Sequence, residues 1–73
     1  MLYMVYLKDD RQDKRYRVIN PKTSCYIDRL VYAPRFTDEQ LQDLKAWMDS
    51  ITDTSLHLQI RLAGTSRVVY NNN

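Results

Sequence analysis

The sequence predicts a small α+β domain: an antiparallel sheet of about five strands, in the order β-β-β-α-β-β, with one amphipathic helix packed on one face. Three observations carry this. "FTDEQLQDLKAWMDSI" repeats its apolar residues at helical spacing, "LHLQIRL" alternates as a half-buried strand does, and shorter apolar runs ahead of both are separated by charged or proline-containing turns. With 73 residues, one domain spanning 1–73 is the only sensible division.

The first run, "LYMVYL" at 2–7, is apolar on both alternating faces: Leu2, Met4 and Tyr6 point one way, and Tyr3, Val5 and Leu7 the other. Such a strand belongs in the middle of a sheet or under cover on both sides. "KDDRQDK" at 8–14 holds no apolar residue and reads as a charged loop. "RYRVI" alternates again, with Tyr16 and Val18 on one face and Arg15 and Arg17 on the other. In "NPKT", Pro21 fixes φ at the second position of a type I turn begun by Asn20. The expected hairpin pairs Val18 with Cys25 and Tyr16 with Ile27, placing these four side chains in the core. A one-residue slip would turn Asp28 inward. On the outer face Arg17 then opposes Tyr26, and Arg15 opposes Asp28. The strand is expected to run to Tyr32, with Pro34 as its stop.

In the helical segment, Thr37 and Gln40 have the spacing of a capping box, and Phe36 and Leu41 that of a hydrophobic staple. Asp38 and Glu39 place negative charge at the positive end of the helix dipole. The helix is expected from Asp38 to about Ile51. Leu41, Leu44, Met48 and Ile51 form its buried stripe, with Trp47 at the edge and Gln40, Asp43, Lys45 and Asp49 outward. Leu56, Leu58, Ile60 and Leu62 then face the core, with His57, Gln59 and Arg61 outward. Gly64 is expected at the first central position of a type II′ turn. "RVVY" returns as the last strand, and the terminal asparagines 71–73 are expected to fray.

Composition narrows the chemistry. A lone Cys25 excludes an intrachain disulfide, and one cysteine with one histidine, His57, excludes a His/Cys metal cluster. His57 lies on a polar strand face with no catalytic motif beside it, and Cys25 on an expected core face behaves as a small apolar residue. Asp9, Asp10 and Asp13 lack the glycine and distal glutamate of a calcium loop. A single glycine excludes a glycine-rich phosphate loop. The expectation is a non-enzymatic protein without metal or cofactor. With no signal or membrane span in view and a lone cysteine, it is expected in the cytoplasm.

The net charge of +2 is uneven: residues 1–35 carry eight Lys/Arg against four Asp, and residues 36–73 carry three against five acids. "KRYRVINPKTSCYIDRLVYAPR" at 14–35 supplies the candidate binding surface: Arg15, Arg17, Lys22, Tyr26 and Arg29. One reading has the arginines on phosphates and bases with Tyr26 stacking. The favoured reading pairs Arg15 with Asp28 and lays Arg17 on the Tyr26 ring, so that the surface satisfies itself. Arg29, three positions beyond Tyr26 on a strand, would point to the opposite face. Six tyrosines, of which Tyr3, Tyr26 and Tyr32 exceed what one helix can bury, suit an interface.

"YRVINPKTSCY" followed by "RFTDEQLQDLKAW" resembles the arm-type DNA-binding domain of tyrosine integrases, where a three-stranded sheet precedes a helix. The resemblance covers roughly residues 14 to 51, rests on the order of elements and implies fold alone. This chain adds a C-terminal hairpin and is only mildly basic. The expected function is that of a small accessory or regulatory protein acting by protein–protein binding, self-association to a homodimer included, with a profile that suits a phage or mobile element. The alternative is a nucleic-acid-binding module using the 14–35 hairpin. No membrane partner is expected.

Overall fold

Strand β1 (Leu2–Asp9) runs through the middle of the sheet, as an apolar run on both faces requires. The computed structural model describes residues 1–72, the side chain of Asp13 excepted. Strands β2 (Asp13–Asn20), β3 (Cys25–Tyr26), β4 (Phe36–Thr37), β5 (Leu56–Leu62) and β6 (Val68–Asn71) complete a six-stranded antiparallel sheet in the order β3-β2-β1-β5-β6, with β4 pairing on β1. Together with one helical segment this is a small α+β fold.

The helix begins where the cap predicts. A 3-10 turn (Asp38–Gln40) leads into α1 (Leu41–Asp49), and the Thr37 N–H donates to Gln40 Oε1 at 2.8 Å. The helix ends two residues before the expected Ile51. There the Ser50 hydroxyl donates to the Trp47 carbonyl at 2.6 Å, competing with the helical ladder. Leu44 and Met48 are buried against Tyr3, Val5, Ile19, Phe36, Leu58 and Ile60, with Leu41, Trp47 and Ile51 packed around them. That is the predicted stripe on the predicted alternation of β5.

The opposite face is covered as well. After Tyr26 the chain leaves the sheet, and Ile27 and Ala33 pack on Met4 and Val18. This corrects the expected β2–β3 register. Asn20 pairs with Cys25 and Ile19 with Tyr26, around a four-residue loop. Ile19, opposite Val5 in β1, lies on the helix side with Tyr26; Val18 and Ile27 lie on the other, and Cys25 is exposed. The pairing lies two residues from the expected one, which leaves each side chain of the hairpin on its own face; what differs is that the helix covers the face of Ile19 and Tyr26, while the segment after β3 covers that of Val18 and Ile27. The third strand ends at Tyr26, not Tyr32; residues Leu30–Tyr32 form a 3-10 turn. Asp28 consequently lies beyond the strand, and among the described residues no ion pair joins it to Arg15.

The turns differ in detail. At the Asn20 turn, the N–H groups of Thr23 and Ser24 donate to the Asn20 carbonyl, and Ser24 takes φ 57° to re-enter the sheet. The charged loop is shorter than expected, because Lys8 and Asp9 extend β1 and Asp13 and Lys14 open β2. Gly64 has φ +82° and is third, not second, in the turn closed by the Thr65 N–H on the Leu62 carbonyl, the place where a type II turn needs positive φ. Asn71 belongs to β6, and the Asn72 side chain accepts from the Leu58 N–H at 3.0 Å, so neither is a loose end. The fraying expected of Asn73 falls outside the described residues. Among those residues, no helix is long and apolar enough to cross a membrane.

Candidate interaction surface

Of the five residues singled out on the hairpin, the fold brings Arg17 and Tyr26 into contact. The Arg17 guanidinium lies 4.2 Å from the Tyr26 ring centroid, diagonal across the ladder in which Tyr26 pairs with Ile19. Both sit on the helix side, at the margin of its core, and not on the face opposite the helix. Exposed pairs of this kind contribute about 0.5–1 kcal/mol. Arg15 is exposed and lies where the β1–β2 ladder shifts register between Leu7–Arg17 and Asp9–Asp13. Lys22 sits in the turn, where its N–H donates to Asn20 Oδ1 at 3.0 Å; it lines, with Pro21, Phe36, Leu44 and Trp47, a depression beside the helix. Arg29 precedes the 3-10 turn on the segment that crosses the other face. The five residues do not form one patch.

Two features of the second face were not anticipated. The first is the 3-10 turn itself, where Leu30, Val31 and Tyr32 are 58%, 69% and 71% exposed. The second is a ladder of cations and rings. Arg61 lies 4.2 Å from the Tyr6 centroid and 5.4 Å from that of Tyr16, with Lys8 5.4 Å above Tyr16 on the same face. The Arg61 Nε–H donates to Gln59 Oε1 at 3.0 Å. Between this ladder, the 3-10 turn and the β5–β6 turn runs a groove of about 410 Å³, lined by Met4, Tyr6, Leu30, Arg35, Arg61 and Thr65 among others. The broken alternation of "DRLVYAP" was the available signal for the turn. The groove left no local signal, because its walls come from distant parts of the chain.

At one end of the sheet the charges are matched to each other. Asp9, 6% exposed, accepts from the Arg11 N–H at 3.0 Å and from its guanidinium at 3.1 Å, and the same guanidinium reaches Asp53 at 3.2 Å. The Asp10 N–H donates to the Ser55 carbonyl, and His57 Nε2 lies 2.7 Å from Asp10 Oδ2. This cluster ties the β1–β2 turn to the loop before β5. The Arg11 side chain and N–H hold the Asp9 carboxyl below its ordinary range; hydrogen bonds from Ser55, then the Arg11 charge, do so for Asp53. The Tyr3 hydroxyl and the N-terminal ammonium lower Asp38.

Carboxylates with folded pKa values below their unfolded ones contribute stability that is present above about pH 3.9 and lost as pH falls through the folded values. The urea midpoint is expected to decline as pH falls below about 4, and to decline less steeply in Arg11→Gln, where the Asp9 and Asp53 shifts shrink. Parallel profiles for the two proteins would contradict this assignment.

No protein-family model, curated protein or solved structure matches this chain. The order-of-elements resemblance to integrase arm domains therefore carries no functional argument.

Proposed function

We propose that this chain is a small non-enzymatic accessory protein that acts by binding another protein. The observation that supports the reading is the exposed apolar 3-10 turn. Isolated exposed apolar residues are normal on soluble proteins, but three in succession on an ordered turn are a patch. The turn is held by the Tyr32 N–H on the Arg29 carbonyl at 3.0 Å and the Ala33 N–H on the Leu30 carbonyl at 3.1 Å, and it is anchored by buried Ala33. Ordered in advance, it loses little conformational freedom on binding. The dispersal of Arg15, Arg17, Lys22 and Arg29 supports protein over nucleic acid as the partner.

The test is Val31→Ser with Tyr32→Ser. Both side chains are exposed, so stability should change by no more than about 0.5 kcal/mol. Affinity capture from the native host is expected to retain a protein with the wild type and lose it with the double variant. Equilibrium sedimentation adds the self-association arm: edge strand β6, with Val68 and Val69 exposed, is expected to give a dimer at high concentration. A monomer throughout removes self-association. Sub-micromolar duplex-DNA binding that weakens steeply with salt and disappears in Arg15→Ala with Arg17→Ala would replace the protein-binding reading with the nucleic-acid one.

A further inference from the structure

We propose that the groove on the second face receives an acidic, apolar segment of a partner protein, with Arg61 and Arg35 as the receptors for its carboxylates. This rests on the protein-binding reading above and names the chemistry of the partner.

Arg61 is built to receive an anion. The residue is half-buried, and its guanidinium is stacked on Tyr6 and fixed at Nε by Gln59. That leaves the terminal nitrogens as the donors still to be used, in a plane already set by the ring. A guanidinium held this way presents a fork that matches a carboxylate, and little of its freedom remains to be lost on binding. Arg35 lines the same groove from the segment entering β4 and is exposed. Among the described residues no carboxylate pairs with either arginine. This contrasts with Arg11, which holds two.

The rest of the lining is apolar. Met4 is buried at the floor, and Leu30 stands at the rim, continuous with exposed Val31 and Tyr32. An occupant that satisfies both parts carries an aliphatic or aromatic side chain against Met4 and Leu30, and an aspartate or glutamate close by in sequence. A nucleic acid fits less well. Its phosphates could meet the two arginines, but its bases would meet Met4 and Leu30, which offer no hydrogen bonds. Nor is the ring of Tyr6 open on both sides for stacking, since Arg61 occupies one face.

The experiment is selection of a displayed random-peptide library on the intact chain, followed by titration of the enriched peptides against wild type, Arg61→Gln, Arg61→Lys, Arg35→Ala and Val31→Ser. The enriched peptides are expected to combine Asp or Glu with large apolar residues and to bind less tightly as salt rises. Arg61→Gln and Arg35→Ala should each weaken them by about tenfold or more, the usual effect of losing a hydrogen bond to a charged group. Arg61→Lys should restore only part of the loss, because a lysine lacks the planar fork. Arg61→Gln also removes a stacking partner of Tyr6, so its thermal midpoint is measured alongside. Arg35 makes no such contact, and its variant tests the inference even if Arg61→Gln is unstable. Enriched peptides without acidic residues, or acidic ones indifferent to both arginine variants, overturn the inference; if Val31→Ser still weakens them, the protein-binding reading survives it. Failure to enrich any peptide overturns the inference, and host capture unaffected by Val31→Ser with Tyr32→Ser then removes the broader reading too. Single-stranded DNA that binds through the same arginines and displaces the peptides assigns the groove to nucleic acid and overturns the proposal.

Discussion

Leu44→Ala is expected to destabilise the protein by about 2–5 kcal/mol, and Met48→Ala by a similar amount. Both side chains descend from α1 onto the sheet, among Tyr3, Val5, Ile19, Phe36, Leu58 and Ile60, and Met48 has no exposed surface. Truncating either loses transfer free energy and leaves a cavity that a strand pair cannot close without breaking register. For a domain whose core supplies only about 3–5 kcal/mol in total, one such change approaches the whole margin. Thr37→Ala provides the scale. It removes the hydroxyl 3.3 Å from Gln40 Oε1 but keeps the Thr37 N–H that Gln40 also holds, so the cost should stay within about 0.5–2 kcal/mol. Urea denaturation ranks the three. If Thr37→Ala proved the most harmful, the helix would not be covering the sheet with this face.

The parts of the fold legible in the sequence are those whose periodicity admits one solution. The α1 segment carries its cap, its staple and its stripe in one continuous stretch, and β5 alternates without a break from Leu56 to Leu62. Strand β1 was legible for a different reason: apolar residues on both faces demand a central place between two neighbours, and β2 and β5 provide them. The hairpin from Tyr16 to Tyr32 was not legible, because Val18 and Ile19 are adjacent and both apolar. Either can be the inward residue unless the number of covered faces is known. That number depends on Ile27 and Ala33, which reach the second face only after the third strand has stopped. The same holds for the candidate site. The contact of Arg17 with Tyr26 survives either register, opposite or diagonal, and could be read in advance. The groove depends on Met4 pairing with Arg61 across β1 and β5 and on a turn at Leu30–Tyr32, a juxtaposition made by tertiary structure alone.

The face of the hairpin that the helix covers supplies the second large effect. Ile19→Ala is expected to cost about 2–5 kcal/mol, whereas Cys25→Ala should lie within about 0.5 kcal/mol of wild type. Ile19 is 2% exposed, pairs with Val5 on one side and Tyr26 on the other, and packs beneath the helix. Its loss opens a void next to the most buried part of β1. Cys25 is exposed, and its thiol reaches only the Thr23 carbonyl at 3.4 Å. If the helix covered the other face of this hairpin, the two roles would exchange: Cys25 would enter the core beside Val18, and Ile19 would turn away from it. Thiol reactivity gives an independent readout. In the observed arrangement Cys25 should react with a thiol reagent in the native protein as readily as in urea. Strong native protection of Cys25, together with a mild Ile19→Ala, would mean that the helix covers the Val18 face of this hairpin, and that Arg17 and Tyr26 lie on the face opposite the helix.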